Sequence, residues 1–102
     1  MPYAPLLSEA EIADGLRAVP EWSREEASLT RTVRCASFPD AIALVNRVAD
    51  AAEAADHHPD MLIKWRLVTF ILTTKSAGGL SAKDLALAAQ IDAAIAALPA
   101  HD

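Results

Sequence analysis

A chain of 102 residues with 53% hydrophobic side chains has the length and apolar content for one domain around a single core. Its formal charge of -5 and isoelectric point near 5.0 argue against direct nucleic-acid binding, which needs Lys and Arg concentrated on one surface. Cys35 is the only cysteine, which excludes an intramolecular disulfide and a multi-cysteine zinc site and fits a reducing cytoplasm.

The N-terminus lacks the basic patch and apolar run of a secretory signal, and no apolar stretch nears the roughly 20 residues of a membrane span, so a cytoplasmic protein with no membrane partner is expected. The first helix should begin at Ser8, because Ser8 and Glu11 have capping-box spacing and Ile12 and Leu16 recur four apart, and it should end before Pro20. From Glu21 to Cys35, Leu29, Val33 and Cys35 alternate loosely with Thr30, Thr32 and Arg34. That pattern predicts a first hairpin with Trp22 in its opening strand. Arg31 interrupts the apolar face, which is accommodated if its strand lies at a sheet edge or the guanidinium reaches solvent over its stem. Phe38-Pro39-Asp40 reads as a helix entry, followed by Ile42, Val45, Val48, Ala49 and Ala52 as a stripe at helical spacing. Pro59 biases His58 away from helical geometry, so this second helix should end near His57 with Glu53 in its last turn.

Met61, Ile63 and Trp65 alternate with Leu62 and Lys64, and Val68, Phe70 and Leu72 alternate with Thr69, Ile71 and Thr73. A second hairpin with its turn near Arg66 is expected. Beyond Gly78-Gly79, Ser81 and Asp84 open a third helix whose apolar positions include Leu85, Ala88, Ile91, Ile95 and Leu98, with Pro99 ending it. The fold class is α+β, a four-stranded antiparallel sheet with three helices packed on one face in the order α-β-β-α-β-β-α, residues 1–102 forming a single domain.

His57 and His58 stand side by side before Pro59. Imidazole titrates near neutrality, so an adjacent pair at a helix-to-strand junction points to proton transfer. Glu53 and His57, four apart, would share a helix face, the carboxylate orienting or charging the ring, while His58 points elsewhere. The competing reading is that helix-terminal histidines interact only with the last carbonyls and the dipole. A metal site from His57, His58 and Asp56 or Asp60 fits poorly, because neighbouring residues diverge in direction and the ligand spacing is wrong. Cys35 is expected to be inert packing, and Asp84 has a structural explanation as the third residue of a capped helix. Trp22 and Trp65 read as core aromatics, although one near the histidines would also serve to wall a pocket for a flat ring.

Glu53, three residues, His57-His58-Pro59, five residues, Trp65, and then Asp84 closing Ala-Gly-Gly-Leu-Ser-Ala-Lys-Asp make up a many-part pattern. It resembles that of the pterin-4a-carbinolamine dehydratase family, and the likeness runs over nearly the whole chain. Lys75 stands where that family carries a third histidine. The resemblance implies dehydration of a 4a-hydroxytetrahydropterin to the quinonoid dihydropterin by histidine acid/base catalysis, with no metal and no cofactor, in tetrahydrobiopterin metabolism. It assigns catalysis to His57, His58, Lys75 and Glu53. It assigns substrate binding to Asp56, Pro59, Thr73, Thr74, Ser76 and Lys83, although Lys83 also reads as a solvated lysine at a helix start. A lysine side chain in water has a pKa of about 10.4, so Lys75 stays charged unless desolvated and is suited to donate to the leaving oxygen while His57 or His58 acts as base. Activity weaker than that of a three-histidine relative is expected. The resemblance also implies a homodimer or homotetramer, for which the alanine-rich second and third helices offer flat faces. The alternatives are a weakened dehydratase-like protein acting as a partner-binding or assembly factor, as family members do, and a binding module for another flat heterocycle.

Overall fold

Two serines start two of the helices by the same exchange of hydrogen bonds. In the computed structural model, which describes residues 4–98, the Ser8 hydroxyl accepts from the Glu11 N–H at 3.1 Å and the Glu11 carboxylate accepts from the Ser8 N–H at 2.8 Å. This opens α1 (Glu9–Leu16). Ser81 and Asp84 repeat the device at the start of α3 (Ala82–Ala96). Between them lie β1 (Ser23–Glu25), β2 (Ser28–Arg34), α2 (Phe38–Ala55), β3 (Asp60–Lys64), β4 (Leu67–Leu72) and a 3-10 turn at Lys75–Ala77. The expected order of helices and strands is the observed one. Pro99, expected to end the last helix, lies outside the described residues.

All strands pair antiparallel in the order β1-β2-β4-β3. The central register sets Leu29 against Leu72, Arg31 against Phe70 and Val33 against Val68. Strand alternation therefore puts these residues on one face, where Leu29, Val68, Phe70 and Leu72 are fully buried in one cluster with Leu44 and Val48 of α2 and Leu87 and Ile91 of α3. Thr32 and Thr69 occupy the opposite face, and their hydroxyls hydrogen-bond across the strands at 2.7 Å.

Several expectations need correction. Trp22 precedes β1 instead of lying in it; its N–H donates to the Val19 carbonyl in a turn, and its side chain drops into the core. β2 is an interior strand, so Arg31 is not at an edge. It escapes the apolar face by pairing with Asp92 of α3 at 2.6 Å, and the same Oδ1 accepts from the Trp22 indole N–H at 2.7 Å. The stripe of α2 is shifted, with Ala41 and Leu44 fully buried while Ile42 is only partly covered. In a helix this rich in alanine and valine, the apolar periodicity leaves the phase ambiguous by one residue. Trp65 is not in the core. It is 66% exposed, has φ 58° at the β3–β4 turn, and stacks under the Arg66 guanidinium at 4.6 Å.

The end of α2 differs most consequentially. The helix stops at Ala55, and Asp56 takes the left-handed conformation at φ 51° and ψ 43°. The Asp56 N–H donates to the Glu53 carbonyl and the His57 N–H to the Ala52 carbonyl, the paired bonds of a Schellman ending. The chain reverses two residues earlier than Pro59 alone suggested, because aspartate tolerates the left-handed region that glycine usually fills.

Asp92 is the single acceptor shared by Trp22 and Arg31. Replacing Asp92 with alanine should leave both donors without a partner and reduce stability by about 1–3 kcal/mol, with the Trp22 emission shifting to longer wavelength. Urea unfolding followed by tryptophan fluorescence checks this.

Candidate active site

A cavity of about 470 Å³ opens at the end of the sheet where β3 begins and β4 ends. One wall is the α2–β3 junction, with Asp56, His57, His58, Pro59 and Asp60. The other is formed by Ile71 of β4 with Thr73, Thr74, Lys75, Ser76 and Lys83 between β4 and the first turn of α3. A second hollow of about 400 Å³, near Leu6, Ile12 and the Arg24–Glu9 ion pair, contains no histidine.

Each imidazole is held by its own carboxylate. His57 is buried, and its Nε2 lies 2.6 Å from Asp84 Oδ1. Asp84 is fully buried; its other oxygen accepts from the Thr74 hydroxyl at 2.8 Å and from the Ser81 N–H at 2.9 Å. Thr74 in turn meets the Ser81 hydroxyl at 2.7 Å. His58 is exposed, and its Nε2 lies 2.6 Å from Glu53 Oε2. The pairing expected between Glu53 and His57 is therefore exchanged. Because the helix has already ended at Ala55, the i, i+4 relation no longer puts Glu53 and His57 on one face, and the reversed chain swings His58 back towards Glu53.

Every expected site residue except Glu53 lines the cavity, and Glu53 reaches it through His58. Thr74, Lys75 and Ser76 lie beyond β4, with Lys75 and Ser76 in the 3-10 turn. The turn closes at Gly78, whose φ of 77° suits glycine, and Thr74 and Gly79 exchange backbone hydrogen bonds across it. Neither the Lys75 nor the Lys83 ammonium has an ion-pair or hydrogen-bond partner among the described residues. Asp60, considered only as a ligand in the metal alternative, and Ile71 face each other across β3 and β4 and were not among the expected pterin-binding residues; their strand alternation away from the core was the available signal. Asp84 has a second task besides capping, which its local spacing did not disclose. Two side chains able to exchange protons, each hydrogen-bonded to a carboxylate and both opening on one cavity, suit general acid–base chemistry.

Among the described residues no group of three or more His, Cys, Asp or Glu side chains is placed to hold a metal ion. Cys35 is buried, and burial, followed by the nearby Asp40 carboxylate, pushes its thiol up from the usual range.

The sequence profile of the pterin 4 alpha carbinolamine dehydratase family matches residues 5–94. The chain belongs to this family. A Nocardia farcinica relative named for the dehydratase is 58% identical over 87 residues, covering 85% of this chain and 92% of its own. A Chloroflexus aurantiacus relative named in the same way is 57% identical over 88 residues, covering 86% and 95%. The crystal structure of a transcriptional coactivator/pterin dehydratase from Brucella melitensis superposes with a TM-score of 0.83 at 29% identity, covering 86% of this chain and 96% of that one. A pterin dehydratase-like protein described as a RuBisCO assembly factor in the alpha-carboxysome has a TM-score of 0.59 at 20% identity, covering 72% and 84%. At that identity the likeness is one of fold. The family match and the Brucella melitensis structure account for the architecture of the chain.

Asp84→Ala should leave the Ser81 N–H, the Thr74 hydroxyl and His57 without their acceptor and cost at least about 2 kcal/mol in chemical denaturation. Cys35 should resist a thiol reagent such as iodoacetamide in the native protein and react only on unfolding, as mass spectrometry of the adduct will show.

Proposed function

We propose that this cavity dehydrates a 4a-hydroxytetrahydropterin to the quinonoid dihydropterin. The observation that supports this most is the pair of separately anchored imidazoles, His57 on buried Asp84 and His58 on exposed Glu53, facing one cavity in a chain of this family. In the reaction the C4a–O bond breaks, and its electron pair leaves with the oxygen. That oxygen takes a proton to become water, and a ring nitrogen of the pterin loses one, so the sum is loss of one water.

A histidine is the base for the nitrogen proton. Lys75, on the opposite wall from the histidines, donates to the departing oxygen in place of the family's third imidazole. Asp56, Pro59, Thr73, Ser76 and Lys83 supply the remaining surface against the bicyclic ring, and Thr74 supplies part of the wall. Asp56 and Asp60 on one side and Lys75 and Lys83 on the other give that surface both acceptors and donors. No metal or cofactor enters this scheme.

Turnover is followed by absorbance, with the carbinolamine generated in situ. The protein should accelerate dehydration over buffer, and His57→Ala and His58→Ala should each lose roughly 100-fold or more. Lys75→His should raise kcat/KM, by as much as ~100-fold if imidazole is the better proton donor here. No acceleration by the unmodified protein would overturn the reading, and no gain in Lys75→His would overturn the role given to Lys75.

A second reading, a partner-binding or assembly factor, draws on the β3–β4 hairpin. β3 is an edge strand, and Leu62, Ile63 and Trp65 are 59%, 43% and 66% exposed along it and at its turn. Exposed apolar side chains beside an unpaired strand edge favour association. The same edge, together with the alanine-rich helices, supports a homodimer or homotetramer. Light scattering at micromolar concentration should show an oligomer, and a monomer would count against it. A cytoplasmic setting is in keeping with the lone buried Cys35, and no described helix is long and apolar enough to cross a membrane.

A further inference from the structure

We infer that the helix-free face of the sheet, at the end where β3 turns into β4, is a docking surface for an acidic amphipathic helix of a partner protein. The inference is independent of the dehydratase reading.

The strand register builds this surface. Leu67 of β4 pairs with Arg34 of β2 on one side and with Lys64 of β3 on the other. Paired residues point to the same side of a sheet, and Val68, next to Leu67, is buried in the core, so Arg34, Leu67 and Lys64 form a row on the face away from the helices. All three are exposed, and Leu62, on the same side of β3, is 59% exposed. The row reads cation, leucine, cation. Among the cationic residues of the strands, Arg24 and Arg31 are paired with Glu9 and Asp92, whereas Arg34 and Lys64 have no ion-pair or side-chain hydrogen-bond partner among the described residues. Asp60, the carboxylate on this side of β3, lies roughly 13 Å along the strand from Lys64 and borders the cavity. The turn beside the row is tied down. The Cys35 N–H donates to the Arg66 carbonyl at 2.8 Å, and the Arg66 guanidinium donates to the Ala36 carbonyl at 3.1 Å.

Spacing decides the occupant. Neighbouring strands lie roughly 4.8 Å apart, so Arg34 and Lys64, with β4 between their strands, stand roughly 10 Å from each other. On an α-helix, residues i and i+7 share a face about 10.5 Å apart, with i+3 and i+4 between them. Carboxylates at i and i+7 therefore meet the two cations while apolar residues at i+3 and i+4 cover Leu67 and Leu62. Along an extended peptide, residues on one face recur at roughly 7 and 13 Å, and neither distance matches. A nucleic-acid strand would leave the leucines uncovered and would meet a chain of net charge -5.

The test is fluorescence anisotropy of the full chain with a labelled, alanine-rich helical peptide that carries glutamate at i and i+7 and leucine at i+3 and i+4. Binding should saturate and should weaken as salt is added. Changing both glutamates to glutamine should weaken it about tenfold, the scale of two exposed ion pairs lost together. The protein with Arg34→Glu and Lys64→Glu should lose binding to the same extent and should bind the peptide with lysine in place of glutamate. Its dehydration rate should stay that of the parent, because neither residue lines the cavity. No saturable binding, equal binding of a peptide with its glutamates moved to opposite faces, or tighter binding of a single-stranded oligonucleotide overturns the inference. So does a double variant that light scattering shows to have become monomeric from an oligomeric parent, since the row is then a contact between copies of this chain. If the double variant fails to fold by circular dichroism, the glutamine peptide and the salt series on the parent still decide.

Discussion

Asp84 is a carboxylate with no exposure to solvent, and three donors from three separate segments converge on it. It completes the cap of α3 through the Ser81 N–H, fixes the turn after β4 through Thr74, and fixes the α2–β3 junction through His57. A buried ionisable group left without partners would destabilise the fold by several kcal/mol, so these segments are constrained to meet where they do. The cavity is the space left between them. The capping of one helix and the orientation of a candidate catalytic base are consequently a single structural fact.

The two imidazoles share a sequence neighbourhood but not an environment. His57 sits in the interior with a carboxylate that exchanges nothing with water, and His58 sits at the surface with one that is 78% exposed in its side chain. An exposed pair contributes little energy and is free to rearrange, whereas a buried hydrogen-bonded pair is held in one geometry. Adjacent residues acquire such different settings because Asp56, in the left-handed region, turns the chain sharply after Ala55.

The parts of the fold that were legible in the sequence are those fixed by local chemistry. Ser8 with Glu11 and Ser81 with Asp84 mark helix starts by side chains that reach backbone N–H groups three residues away. Val68, Phe70 and Leu72 mark a strand face by alternation alone. What was not legible depends on residues remote in the chain or on one backbone angle. Arg31 looked misplaced because Asp92, its partner, is 61 positions away. Trp65 looked like a core aromatic because nothing in its own segment shows that it occupies a turn. The pairing of Glu53 with His58 instead of His57 hinges on where α2 stops, and that is set by the conformation of an aspartate where a glycine would have been the visible sign. The family likeness pointed to side chains that do gather around one cavity, but the hydrogen bonds that sort them into orienting, walling and free groups required the three-dimensional arrangement.

The β3–β4 hairpin has its open end at the cavity and its turn at the other end of the strands. Asp60 and Ile71 border the histidines, whereas Trp65 and Arg66 lie at the far tip, five residues or roughly 16 Å along the strand. Trp65 and Arg66 do not line the cavity, so a single short hairpin carries two spatially separate surfaces, an exposed indole at one end and a wall of the cavity at the other.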